Sequence, residues 1–142
     1  MLNIRVVPIG EFTEMFPKIE RLVKEGCALS PNDINEAIVK YNLIRGKAKL
    51  SVVEDGDKVI AINIVQPIVL VTGWKVLYVP ITVGTRMDEW LEDAMSLAHQ
   101  TAKELGCREI RGLSIRKGWL TALKHYNSDW YPIHEVIGCK VK

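Results

Sequence analysis

A chain of 142 residues, 48% hydrophobic and 25% charged, has the length of one domain and enough apolar side chains to bury a core. Its formal net charge of +2 is too small to draw it to nucleic acid or membrane by bulk attraction. Its three cysteines, Cys27, Cys107 and Cys139, lack C-x-x-C or Cys/His spacing, which argues against a disulfide framework and a metal site and for a reducing, cytoplasmic setting.

In chain order, Ile4, Val6 and Val7 mark a first strand, ended by Pro8 and Gly10 and too short in its apolar run for a signal peptide. Phe12, Met15, Phe16, Ile19, Leu22 and Val23 then recur at helical spacing. Pro17 sets the start of this helix or kinks it, and Gly26 ends it. Ser30-Pro31-Asn32-Asp33 is a helix-start signal, with Ser30 as N-cap and Pro31 at the first helical position. The second helix carries Ile34, Ala37, Ile38, Tyr41 and Ile44 and stops near Gly46.

From Lys49 the period changes. Leu50–Val53 and Val59–Val65 flank a glycine-containing hairpin loop, Glu54 to Lys58. Ile68–Val71 and Trp74–Val83 follow, separated by Thr72-Gly73, and Pro67 marks an edge, bend or bulge. The run from Val59 to Val71, about 13 residues broken by Asn63, Gln66 and Pro67, is too short and polar to cross a bilayer.

A long helix begins after Gly84 and closes at Gly106. Its apolar stripe is Met87, Leu91, Ala94, Met95, Ala98, Ala102 and Leu105. Cys107–Ile115 reads as a strand, Trp119–Tyr126 as a short helix and Ile133–Val141 as a last strand. Residues 84–106 hold two cations against five carboxylates, a balance of −3, and residues 107–142 hold seven cations against three, a balance of +4. Arg108, Arg111, Arg116 and Lys117 make a basic strip, but without a nucleic-acid motif nucleic acid is not the expected partner. The element order predicts one α/β (α+β) domain over residues 1–142, a mixed central sheet of about six to seven strands flanked by about four helices.

This order resembles the GNAT superfamily of acetyl-CoA-dependent N-acetyltransferases. Lys75 to Trp130 carries the likeness most specifically: VLYVP is similar to the family's central strand, AHQTAKELGCREI to the end of its cofactor helix and the next strand, and GWLTALKHYNSDW to its short tyrosine-bearing helix. Asp129-Trp130 stand where that helix ordinarily ends in Gly-Phe. The family's cofactor loop, Arg/Gln-x-x-Gly-x-Gly/Ala, holds the CoA diphosphate on backbone N–H groups and a helix N-terminus. It falls on Val83, Gly84, Thr85, Arg86, Met87 and Asp88, among which Gly84 is the sole glycine. Asp88, Glu89, Glu92 and Asp93 oppose an anion there. Thr85-x-x-Asp88 reads as a variant capping box that closes the helix end with side chains.

The resemblance implies Tyr126 as the acid that reprotonates the leaving thiolate. The central strand from Lys75 to Val83 has no carboxylate to serve as base, and Glu109 and His125 are the nearest substitutes along the chain. His99 and His134 lack a partner at ligand spacing, so no metal is expected. The chain is also similar to short phage-encoded GNAT-like proteins, some of them internal virion components, whose cofactor loop has decayed. That likeness implies a structural or protein-interaction role in the host cytosol or virion, no cofactor, and a protein partner or self-association. The alternative is an active acetyltransferase that uses acetyl-CoA, the loop Val83–Arg86 and Tyr126 to modify an amine.

Overall fold

Strands rich in Val and Ile alternate with amphipathic helices, so each helix must lay its apolar stripe on a sheet face. The computed structural model describes residues 2–29, 33–112, 118–134 and 137–141. Strand β1 (Leu2–Val6) leads through a 3-10 turn (Ile9–Glu11) into α1 (Phe12–Ala28) and α2 (Glu36–Ile44). The antiparallel strands β2 (Lys49–Asp55), β3 (Lys58–Val69) and β4 (Lys75–Gly84) follow. After them come α3 (Met87–Glu104), β5 (Glu109–Gly112) and α4 (Trp119–Tyr126). The strands lie in chain order, with β1 antiparallel to β2 and β5 parallel to β4.

One face of the sheet packs on α1 and α2, where Ile19, Leu43, Leu50, Val52, Ile62, Ile64 and Ile81 are almost fully buried. Each such side chain contributes about 1.5–3 kcal/mol. The other face carries α3 and α4 through Val53, Ile60, Ala61, Trp90, Leu91, Met95 and Leu123, and further along through Val65, Leu77, Ala98 and Ala102.

The mixed α+β architecture is the expected one, with five strands among the described residues in place of six to seven. The expected last strand, Ile133–Val141, is not in the sheet over its described residues 133–134 and 137–141. Of Cys107–Ile115, residues 109–112 pair, and 113–115 lie outside the described residues. Ile68–Val71 is not a separate strand: β3 runs through Pro67 to Val69. Proline is accepted there because β2 pairs with β3 only as far as Val65, leaving that stretch a single neighbour, β4.

Helix α1 likewise runs through Pro17, six residues in, where one hydrogen bond to the Thr13 carbonyl is forgone. Gly26 does not end it. Gly26 is buried, and a Cβ there would lie 2.7 Å from Ile81 Cγ2, so the glycine lets α1 approach β4 closely.

The start expected at Ser30–Asn32 lies outside the described residues; α2 is capped by Asn35, whose Oδ1 accepts the Ile38 N–H at 3.0 Å. The buried face of α2 is Val39 and Leu43, and Ala37, Ile38, Tyr41 and Ile44 point outward. Two apolar stripes compete on this short helix, and docking on α1 selects the one spaced i, i+4.

Candidate active site

The register between β3 and β4 contains a bulge. Ile64 faces Ile81, while Gln66 faces Tyr78, so Val79 and Pro80 together oppose Val65. The extra residue inverts the alternation of β4: Leu77 packs toward α3, whereas Ile81 and Val83 pack toward α1. Pairing with β5 is described as far as Val79. Val79 is matched with Gly112, and no described residue of β5 accompanies Pro80 to Gly84.

The turn after β4 is fixed from below. Gly84 has φ 152°, and a Cβ there would fall 2.3 Å from Ala61 Cβ, so packing on β3 by itself demands glycine. Ile60, the extra residue of a second bulge between β2 and β3, accepts the Thr85 N–H at 3.1 Å. The Trp90 indole donates to the Thr85 carbonyl at 2.7 Å.

Arg86 follows at φ 58°, the sole positive-φ non-glycine among the described residues. It occupies the position of the cofactor motif's first glycine and keeps the left-handed backbone that glycine would adopt freely. Its guanidinium bridges Asp55 (2.7 Å) and Glu89 (2.5 and 3.0 Å). Hydrogen bonds donated to Glu89, then to Asp55, raise the Arg86 pKa, and accepting from Arg86 lowers that of Glu89.

The expected capping box does not form. The helix N-cap is Arg86 with no side-chain cap bond, because its left-handed backbone moves the start past Thr85. Among the described residues, the amides of Arg86, Met87 and Asp88 have no hydrogen-bond acceptor, a donor set suited to an anion.

Helix α4 covers the first half of α3. Trp119, Tyr126 and Trp130 pack against the cluster that holds Trp90, Leu91, Met95 and Leu123. Tyr126 is half-buried there, its ring edge-on to His125 at 5.3 Å, and its hydroxyl has no hydrogen-bond partner among the described residues. Tyr126 is thus linked to the loop through Trp90, which shares its cluster and bonds Thr85, whereas Val83 packs in the core on the α1 face. Glu109 is not a free base. It accepts from Arg111 Nε at 2.6 Å and from the Tyr131 hydroxyl. Burial pushes its carboxyl up, but these bonds outweigh burial and hold it below the usual carboxylate range. Arg108 of the basic strip stacks over Trp74 at 4.2 Å, Arg111 is tied to Glu109, and Arg116 and Lys117 lie outside the described residues. No cluster of metal-ligating side chains occurs among the described residues, and none of their helices is long and apolar enough to cross a membrane.

A cavity of about 130 Å³, with a mixed polar and apolar lining, adjoins the bulge on the α2 side, lined by Asp33, Ile34, Ile38, Asn42, Gln66, Tyr78 and Pro80. Asn42 Nδ2 donates to Gln66 Oε1 at 3.4 Å across it. Burial, then the Asp33 carboxylate, raises the Tyr78 phenol. Sequence reasoning missed this group because Asp33 and Tyr78 are separated by most of the sheet along the chain. A lone acid in a helix-start signal carries no catalytic mark.

No protein-family model matches the sequence, and no curated protein matches it by sequence. Solved structures match over nearly the whole chain. AAC(6')-Iy, bound to the bisubstrate analogue CoA-S-monomethyl-acetylneamine, aligns at TM-score 0.68 with 12% identity, covering 100% of this chain and 99% of that one. An aminoglycoside acetyltransferase from an uncultured soil metagenomic sample aligns at 0.67 with 14% identity, covering 99% and 95%. A predicted acetyltransferase of Clostridium acetobutylicum, solved with acetyl-CoA, aligns at 0.66 with 17% identity, covering 94% and 96%. The chain has the GNAT acetyltransferase fold.

Proposed function

We propose that this chain transfers an acetyl group from acetyl-CoA to an amine held in the cavity beside Pro80. The observation that carries the reading is a coincidence in β4: its bulge and the Asp33–Tyr78 cavity meet at Val79–Pro80. Bulges recur beside active sites, where they re-aim a strand's side chains, and a thioester needs such an opening beside an acceptor.

The residues fit the cofactor. The amides of Arg86, Met87 and Asp88 would hold its diphosphate at the N-terminus of α3, and Gly84 adds no side chain in the way. Acetyl-CoA, when bound, supplies an activated acyl group. The chain's own work is to seat the amine and move protons. The Asp33 carboxylate attracts the ammonium, and the Asn42–Gln66 amide pair offers hydrogen bonds. Tyr126, with its hydroxyl unengaged, is the candidate proton donor to the leaving thiolate.

A second reading keeps the fold but drops the cofactor. It rests on the Arg86 bridge to Asp55 and Glu89, which occupies the loop's cation, and on the first-turn acids Asp88 and Glu89. In that case the domain binds a protein, as the resemblance to phage-encoded proteins suggested; the three structures named above are described as acetyltransferases and not as virion components. Calorimetric titration with acetyl-CoA at moderate salt separates the two. Micromolar binding, with thiol release on adding amines, is the expected result. No binding at millimolar acetyl-CoA by the folded protein would overturn the catalytic reading in favour of the second.

A further inference from the structure

The cavity beside Pro80 is too small for a whole acceptor. At about 130 Å³ it has room for a few water-sized groups of about 30 Å³ each, enough for an ammonium and a short stem. The rest of the acceptor must lie on the neighbouring surface, and that surface has a distinct chemistry. Ile38 lines the cavity and also begins an outward stripe on α2 with Tyr41 and Ile44, at 46%, 51% and 57% exposure. Residues spaced i, i+3 are neighbours on a helix, so the stripe is continuous. Beyond it, Arg45 and Lys47 both stand over the Tyr41 ring at 5.5 Å, and Lys40 stands over Phe16 at 5.7 Å. Residues 36–49 carry Lys40, Arg45, Lys47 and Lys49 against Glu36 alone.

Resting on the acetyltransferase reading, we propose that the acceptor is a peptide amine followed by apolar and then acidic residues, laid along the outer face of α2. Ile38 to Ile44 spans about 9 Å at 1.5 Å per residue. An extended peptide covers this in about three residues at 3.3 Å each. With its amine at Asp33, the peptide sets apolar side chains on Ile38 and Tyr41 and carboxylates against Arg45 and Lys47 at its third or fourth residue. These cations sit on an aromatic face at the rim, where charge chooses among partners.

The test compares Ala-Leu-Leu-Glu-Asp-amide, Ala-Leu-Leu-Lys-Lys-amide and glycinamide as acceptors with acetyl-CoA. The acidic peptide is expected to show at least a tenfold higher kcat/KM than either of the others. The double variant Arg45→Glu/Lys47→Glu should erase that preference and leave glycinamide turnover unchanged. Equal turnover of all three acceptors, or a preference that survives the charge reversal, would overturn the proposal. Fluorescence anisotropy of the C-terminally labelled acidic peptide, without acetyl-CoA, keeps the surface testable if no acceptor is turned over. Binding that the double variant abolishes would retain the docking face while the catalytic reading fails; absence of binding, or binding of vesicles containing anionic lipid in preference to the peptide, would overturn the face itself.

Discussion

Arg86 holds a backbone that glycine adopts without strain, and it is kept there by Asp55 and Glu89. Arg86→Gly should leave the melting temperature nearly unchanged, because the lost ion pairs are exposed and the lost strain compensates. It should tighten acetyl-CoA binding several-fold by clearing the loop, which calorimetry reads directly. Gly84 has no such freedom. Gly84→Ala forces a methyl into Ala61 and the Ile60 carbonyl and should destabilise the fold by about 1–3 kcal/mol or more in urea denaturation. Asp33→Asn should raise the amine KM at least tenfold and leave the KM for acetyl-CoA unaltered, measured by thiol release.

Glu109 links pH to stability. Its folded pKa is depressed, so its contribution is complete above the ordinary glutamate value of about 4.3 and is lost as pH falls through the lower folded value. Tyr131→Phe removes one donor, raises that folded value, and should move the acid-unfolding midpoint to higher pH, followed by circular dichroism.

Strand β4 carries the interruption on which the functional reading depends. On the catalytic reading its amides beyond Pro80 that point away from β3 are open to the thioester and should exchange rapidly with deuterium in the free protein. Acetyl-CoA should protect them together with the first turn of α3. Protection confined to α3 would mean that the cofactor does not enter the gap. Helix α1 shows the opposite economy of space: Gly26 brings it onto Ile81, and Gly26→Ala should cost about 1–3 kcal/mol by pushing the helix off the sheet. Both glycines were visible in the sequence, but one looked like a helix stop and the other like part of a phosphate loop. Their close contacts lie with residues far away along the chain, which no local pattern reports.

The order of strands and helices from β1 to α4 was legible from the sequence alone, because apolar period and turn residues are local properties; the expected last strand was not found in the sheet. The long helix α3, the short helix α4 and the β2–β3 hairpin appear where the pattern put them. What tertiary structure decided was everything that depends on contact between distant segments. It chose Val39 and Leu43 over Ile38 and Tyr41 as the buried face of α2, made Trp90 core, and carried β3 through Pro67. It replaced a capping box with a left-handed Arg86, and it gathered Asp33, Asn42, Gln66 and Tyr78 around a bulge. Periodicity states which side chains share a face; only packing states what that face meets, because a bulge of one residue in β4 exchanges the two faces of the strand without altering its composition.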